Sequence, residues 1–143
     1  MYINQISVFV ENKPGRLFEL TNFLAEQNIN LRALEVADAS DYGIIRIIVD
    51  DPFATLNTLK ENDWVCKLTE VVGVKIPDEP GSMAKISKIL SDAGVNVEYC
   101  YAFLAKDSND ALLIFKVSDN ENVMSILKEN NITLINQDDL ENA

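Results

Sequence analysis

Apolar residues follow two patterns that alternate along the chain of 143 residues. Segments such as QISVFV at 5–10 alternate in polarity and are rich in β-branched residues, which is typical of strands. Other segments place apolar residues three and four positions apart, as at Leu17, Leu20 and Leu24, and this spacing predicts a helix. In chain order the patterns predict strand, helix, strand, strand, helix and strand, and the whole series then occurs a second time.

The series occurs twice because the sequence is an internal repeat. The pair Pro14-Gly15 returns as Pro80-Gly81, 66 residues later. The segment LKEN at 59–62 returns at 127–130, which is 68 residues later. The second copy has therefore gained two residues, which we place in the loop AKDSND at 105–110. A repeat of this length sets the architecture of the chain.

Each copy predicts a small α+β domain. The order βαββαβ is that of a ferredoxin-like unit, in which two helices cover one face of a four-stranded antiparallel sheet. We therefore expect two such units in tandem, the first over residues 1–69 and the second over residues 70–143.

Residues that begin and end helices stand at matched places in the two copies. Asp51 and Asp119 are predicted N-caps, because a short carboxylate accepts a hydrogen bond from the first turn of a helix. Asn28 and Gly94 follow the first helix of each copy, where a left-handed residue ends a helix at little cost. The two copies thus predict the same helix boundaries.

The composition narrows the classes of function. The formal net charge is −11, and an acidic surface repels the phosphates of nucleic acids and of anionic lipids. RNA-recognition domains share the βαββαβ order, but their basic and aromatic strand motif is missing from the matching strand, YGIIRIIVD at 42–50. No apolar run reaches the roughly 20 residues of a membrane helix, and the first residues lack signal-peptide features. We expect a cytoplasmic protein that binds neither nucleic acid nor membrane.

The sequence offers few residues for catalysis or metal binding. The chain contains no histidine, which removes the commonest general base near neutral pH and the commonest transition-metal ligand. Its two cysteines, Cys66 and Cys100, form no CxxC pair. We therefore expect no catalytic residues, no metal and no cofactor, and a protein that is not an enzyme.

Two Pro-Gly turns are the candidate sites. ENKPGRL at 11–17 and PDEPGSM at 77–83 each join a predicted strand to a predicted helix. Pro-Gly often marks a plain turn, but a helix start also offers unpaired N–H groups and the positive end of the helix dipole. These features suit a small carboxylate, and the chain has no GxxxxGK[ST] run that would indicate a phosphate loop. The candidate donors are the backbone N–H groups of Arg16, Leu17, Ser82 and Met83.

These features together resemble the ACT domain, a small regulatory module that binds amino acids in many metabolic enzymes. In the first copy the resemblance rests on the first strand, the segment ENKPGRLFELTNFLAEQNINL at 11–31, and the strands and helix that follow. This copy is especially similar to the serine-binding ACT domain of bacterial phosphoglycerate dehydrogenase, although Val10 stands where those relatives have histidine. Position by position, the resemblance implies ligand contacts from Asn12, Gly15, Asn30, Asp78, Gly81 and Asn96.

The resemblance implies a regulatory function. Two ACT domains would sense an amino acid or a similar small carboxylate at ACT–ACT interfaces and allosterically modulate a metabolic enzyme. The alternative is a docking subunit that regulates an enzyme without binding a small molecule. We also expect a homodimer, because exposed sheet edges and an apolar second sheet face favour association with another chain that buries them.

The two turns differ in their polar groups. Asn12 of the first turn is replaced by Asp78 in the second. An amide both donates and accepts hydrogen bonds, so it can face either end of a zwitterion, whereas a carboxylate only accepts. ENKPGR contains one acid and two bases, and PDEPGS contains two acids and no base. We hypothesise that the first turn holds the carboxylate of a ligand better than the second.

Overall fold

The computed structural model of the chain describes residues 2–39, 41–106 and 108–141. The chain divides into two compact units. The first unit is Asn4–Thr69, and the second unit is Glu70–Ala143 together with Met1–Ile3. None of the helices in the described residues has the length and the apolar character needed to cross a bilayer.

The first unit has the predicted order of strands and helices. It is built from β1 (Ile3–Val10), α1 (Arg16–Glu26), β2 (Leu31–Asp38), β3 (Gly43–Val49), α2 (Pro52–Glu61) and the first residues of β4 (Val65–Pro77). Its strands lie side by side in the order β2-β3-β1-β4. Strand β3 runs antiparallel to both β1 and β2.

The second unit repeats this plan. It continues β4 and adds α3 (Ser82–Asp92), β5 (Tyr99–Leu104), β6 (Asp110–Lys116), α4 (Asn120–Glu129), β7 (Thr133–Ile135) and a final 3-10 helix (Asp138–Glu141). Strand β4 is flanked by β6 and β7, and β5 pairs with β6, all antiparallel. The predicted α+β class with tandem ferredoxin-like units is confirmed.

One face of the first unit's sheet carries both helices. Ile6 and Val8 of β1 pack with Leu20 and Leu24 of α1 and with Leu59 of α2, and all five side chains are buried. Alternate residues of a strand lie on the same face of the sheet, and Ile6 and Val8 are two positions apart, so both side chains of β1 face the helices. Complete burial of each such side chain contributes about 1.5–3 kcal/mol relative to leaving it in water.

The core of the second unit is built in the same way. Val74 of β4 and Phe115 of β6 pack with Ile86 and Leu90 of α3 and with Leu127 of α4. The helical spacing of Ile86 and Leu90 matches that of the corresponding pair in the first unit, so the repeat in sequence is a repeat in packing.

The opposite face of the first unit's sheet holds a polar cluster, where the sequence analysis expected an apolar surface. The buried Gln5 side chain donates from Nε2 to Oγ of Ser7 at 3.1 Å. On the neighbouring strands Arg46 forms an ion pair with Glu35, and the strand register brings Ser7, Arg46 and Glu35 into one row. The expectation of an apolar second face is therefore wrong for this part of the first unit, because β1 alternates apolar with polar residues.

The predicted helix boundaries are confirmed. Asp51 and Asp119 each accept a hydrogen bond from a backbone N–H three residues later, at 3.1 Å in both cases. Asn28 has φ 57° and Gly94 has φ 71°, so both end their helices in the left-handed conformation. These boundaries determine where the two Pro-Gly turns and the helices that follow them lie.

Candidate functional site

The two Pro-Gly turns have the same backbone geometry. Gly15 has φ 93° and ψ −16°, and Gly81 has φ 92° and ψ −16°. Each glycine precedes a helix of 11 residues. Positive φ favours glycine, which explains why this residue type recurs at both turns.

The turns already use one of the backbone donors predicted for each site. The N–H of Arg16 donates to the Lys13 carbonyl at 3.5 Å, and the N–H of Ser82 donates to the Glu79 carbonyl at 3.3 Å. The first regular helical bond of α1 runs from Glu19 to the Gly15 carbonyl at 2.9 Å.

The free donors at each helix start therefore lie one residue further along than the sequence suggests. Within the described residues, the backbone N–H groups of Leu17 and Phe18 have no acceptor, and the same holds for Met83 and Ala84 in the second unit. Two adjacent free N–H groups at a helix start suit an anion.

A cavity of about 330 Å³ lies between the first turn and the end of the β2–β3 pair, and we call it the turn cavity. Such a volume is at the small end of the roughly 300–1,000 Å³ of ligand pockets. Its wall brings together three of the predicted residues, Asn12, Arg16 and Leu17, with residues that the sequence analysis did not select. The full lining is Val10, Glu11, Asn12, Lys13, Arg16, Leu17, Val36, Ala37, Asp38, Gly43 and Ile45.

Charged side chains hold one another in place around the turn cavity. Glu11 accepts from Lys13 Nζ at 2.9 Å and from Arg16 Nη2 at 3.1 Å, and Arg16 Nη1 donates to Glu19 at 2.5 Å. Lys13, and then Arg16, hold the pKa of the Glu11 carboxyl below its usual value. The hydrogen bond to Glu19 raises the pKa of Arg16. Glu11 and Arg16 are therefore charged near neutral pH, and the Arg16 guanidinium is held by carboxylates on both sides.

The turn cavity offers complementary groups for each part of an α-amino acid. Lys13 and Arg16 present cations to a carboxylate, and Asp38 presents a carboxylate to an ammonium group. The exposed apolar side chains of Leu17 and Val36, the latter 55% exposed, are available to a ligand side chain.

Asn30 does not line the turn cavity. It borders a separate cavity of about 190 Å³ with Asn28, Asp50, Asp51 and Thr55. The residues that the resemblance selects in the first copy are thus distributed over two places within the unit.

Four of the five predicted residues of the second unit line two cavities, and Asp78 borders neither of them. Gly81 and Ser82 border a cavity of about 480 Å³ that also contains Lys75. Met83 and Asn96 border another cavity, of about 350 Å³, beneath α3.

The second turn is joined to the neighbouring strand pair by a backbone hydrogen bond. Among the described residues, the first turn has no matching bond. The β1–β3 register ends at Val10 and Gly43, whereas the β4–β6 register continues to Pro77 and Asp110. One residue further on, the N–H of Asp78 donates to the Asn109 carbonyl at 2.9 Å. Because Asn109 lies in the loop predicted to contain the two extra residues, the insertion was the one sequence signal for this difference.

The described residues contain no group of three or more histidine, cysteine, aspartate or glutamate side chains arranged to hold a metal ion. Among the described residues neither Cys66 nor Cys100 forms a disulfide, and both are half-buried. Burial raises the pKa of the Cys66 thiol.

Comparison with known proteins identifies relatives over the full chain. A family model described as an ACT domain pair matches residues 1–143. Protein BT0572 from Bacteroides thetaiotaomicron is 40% identical, with a TM-score of 0.90, and the match covers 100% of this chain and 98% of that one. No curated protein matches the chain.

The regulatory subunits of aspartate kinase from Thermus thermophilus and Thermus flavus are similar in fold. Both are 18% identical to this chain, with TM-scores of 0.58 and 0.57. The matches cover 89% and 90% of this chain and 91% and 92% of theirs.

Proposed function

The chain belongs to the ACT domain family as an ACT domain pair, and from this premise we propose that it is a cytoplasmic regulatory protein that binds an α-amino acid in the turn cavity of its first unit. The observation that supports the proposal is the composition of the cavity wall. Cations, a carboxylate, Leu17 with its free backbone N–H, and exposed apolar side chains border this cavity of about 330 Å³. A small zwitterion with a side chain is the ligand class that can use all four features.

The first turn is the better candidate for the ligand carboxylate. Asn12 lies in the wall of the turn cavity, beside Lys13 and Arg16. Asp78, at the matched place in the second turn, adds negative charge, and its backbone N–H is already bonded to Asn109. A carboxylate ligand would be repelled by the Asp78 side chain and would find that N–H occupied.

In this proposal, binding is linked to regulation through assembly. The turn cavity is open to solvent, and a second ACT unit of another chain would close it, as the resemblance to the family implies. Amino-acid binding would then stabilise the assembled form, and a metabolic enzyme that recognises this form would respond to the amino acid.

A thermal-shift screen tests the proposal. The purified chain is heated in the presence of each of the twenty amino acids at about millimolar concentration. We expect one or two of them to raise the melting temperature, because a ligand at a hundredfold excess over Kd adds roughly 2.7 kcal/mol of stability. A flat response across all twenty would contradict the proposal.

The same assay locates the site with two matched variants. Asn12→Ala should weaken the response to the effector about fivefold, the effect of losing one hydrogen bond of about 1 kcal/mol. Asp78→Ala, at the matched position of the second turn, should retain the response. Equal losses in the two variants would exclude the turn cavity as the preferred site.

A docking subunit that binds no small molecule is the second candidate. The described surface of the first unit includes large exposed apolar side chains on its helices, Phe18 at 69% and Phe53 at 60%. Exposed aromatic side chains are enriched at contacts with partner proteins. This candidate predicts a flat amino-acid screen and capture of a metabolic enzyme that is lost with Phe18→Ser.

A further inference from the structure

A second cavity of the first unit shares Arg16 with the turn cavity. Its volume is about 400 Å³, and three aromatic rings lie in its wall, so we call it the aromatic cavity. Val10, Glu11 and Arg16 border both cavities. The full lining of the aromatic cavity is Phe9, Val10, Glu11, Arg16, Asp41, Tyr42, Asp63, Trp64 and Val65.

The rings of the aromatic cavity are held by packing. Phe9 and Tyr42 contact each other with ring centroids 6.0 Å apart and planes tilted by 59°. Trp64 packs against Phe23 of α1 at 5.9 Å. Lys67 Nζ lies 5.8 Å from the Phe9 centroid, so one ring of the wall already interacts with a cation of the chain itself. The cavity therefore has a largely prearranged apolar surface.

Two carboxylates of this wall, those of Asp41 and Asp63, are unpaired within the part of the chain that the structure describes. Among the described residues, no hydrogen bond or ion pair is formed by the side chains of Asp41 or Asp63. The other two charged groups of the wall, Glu11 and Arg16, are bonded to each other. The uncompensated charge of the cavity wall is thus negative.

We propose that the aromatic cavity binds a small organic cation that carries a guanidinium group. A guanidinium is planar, stacks on aromatic faces and donates paired hydrogen bonds to carboxylates. Trp64 and Tyr42 provide the faces, and Asp41 and Asp63 provide the acceptors. This site is separate from the proposed amino-acid site, whose cations are suited to a carboxylate.

The second unit supplies an internal comparison. A cavity at the matched place is lined by Lys75, Asn131 and Ile132 where the first unit has Phe9, Asp63 and Trp64. The same fold is therefore built without aromatic rings or a carboxylate at these three positions. The cation-binding groups of the first unit are not a requirement of the fold, which favours a role in binding.

The matched residue of the second unit provides the test substitution. Asp63 has φ 66°, and Asn131 has φ 61°, so an asparagine already occupies this left-handed position in the repeat. Asp63→Asn removes the charge while retaining the size and the conformation of the side chain. We expect the variant to fold as the natural chain does.

The experiment is calorimetric titration of the full chain with agmatine, an alkylguanidinium without a carboxylate. We expect the natural chain to bind it and Asp63→Asn to bind it about ten- to a hundredfold more weakly, as expected for loss of a hydrogen bond to a charged group. The control is Asp138→Asn, which makes the same change in net charge at an exposed residue outside the cavity.

The outcomes separate a site from general attraction to an acidic protein. Loss of binding in Asp63→Asn with retention in Asp138→Asn supports the aromatic cavity. Equal weakening in both variants, or no heat of binding in the natural chain, overturns the proposal. Because agmatine lacks the carboxylate that the turn cavity requires, its failure to bind would leave the amino-acid proposal unaffected. Likewise, a flat amino-acid screen would leave the guanidinium proposal unaffected.

Discussion

At the residue scale, the two turn glycines show how one backbone requirement is met twice. Gly15 and Gly81 differ by one degree in φ. A Cβ atom built on either glycine meets nothing within 4 Å, so space does not require glycine there. The requirement is the positive φ itself, which an L-residue with a side chain adopts only at a cost in free energy.

Replacing either turn glycine should therefore destabilise its unit through the backbone alone. We expect Gly15→Ala and Gly81→Ala each to lower the free energy of unfolding by about 1–2 kcal/mol, measured by urea denaturation. Gly94→Asn is the control, because Asn28 holds the matched left-handed position in the first unit. A loss at Gly94 as large as at Gly15 would contradict the explanation from positive φ.

At the element scale, β4 is a single strand of 13 residues where the sequence analysis placed two. The apolar segments WVCKL at 64–68 and EVVGVKI at 70–76 predict two strands, one that closes the first copy and one that opens the second. Only Thr69 lies between them, and no glycine or proline interrupts the run before Gly73. The backbone has no reason to turn, so the extended conformation continues.

Gly73 of β4 packs closely against two side chains. An added Cβ would lie 2.3 Å from Cδ1 of Ile3 and 2.7 Å from Cγ1 of Ile135, both buried side chains of the second unit. Gly73→Ala should therefore lower the free energy of unfolding by about 1–3 kcal/mol through overpacking.

A second substitution tests the cause of that loss. Ile3→Val deletes the Cδ1 atom that the new Cβ would meet, so the double variant should be more stable than the sum of the two single changes predicts. Strict additivity in urea denaturation would show that crowding against Ile3 is not the cause.

At the scale of the whole molecule, homodimerisation stays a prediction, and the structure identifies where it could occur. β2 is an edge strand of the first unit and carries the exposed side chains Leu34 and Val36. β5 is an edge strand of the second unit, and its Leu104 is 72% exposed. Exposed apolar edge strands favour pairing with another chain.

Light scattering after size exclusion measures the assembly directly. We expect a dimer at micromolar concentration and a shift towards monomer in Leu34→Lys, because a charge on an edge strand opposes pairing. Asn57→Lys, at an exposed residue of α2, adds the same charge and should remain dimeric. A natural chain that is monomeric at this concentration would rule out the homodimer.

The element order, the repeat, the caps and the two turns could all be predicted from the sequence, because each depends on residues only a few positions apart. The side chain of Asp51 reaches Ala54, and the backbone of Gly15 begins its own helix. Such interactions are local, so the residue types and their spacing determine them.

Only the tertiary structure decided which distant residues share a site. The turn cavity joins Asn12 to Asp38, and the aromatic cavity joins Phe9 to Asp63. These groups meet because strand register and helix packing bring separate segments together, and a single sequence does not contain that geometry. The hydrogen bond between the Asp78 N–H and the Asn109 carbonyl, which distinguishes the second turn, has the same origin. The repeat showed that the loop is two residues longer in the second copy, but it did not show which carbonyl would lie beside Asp78.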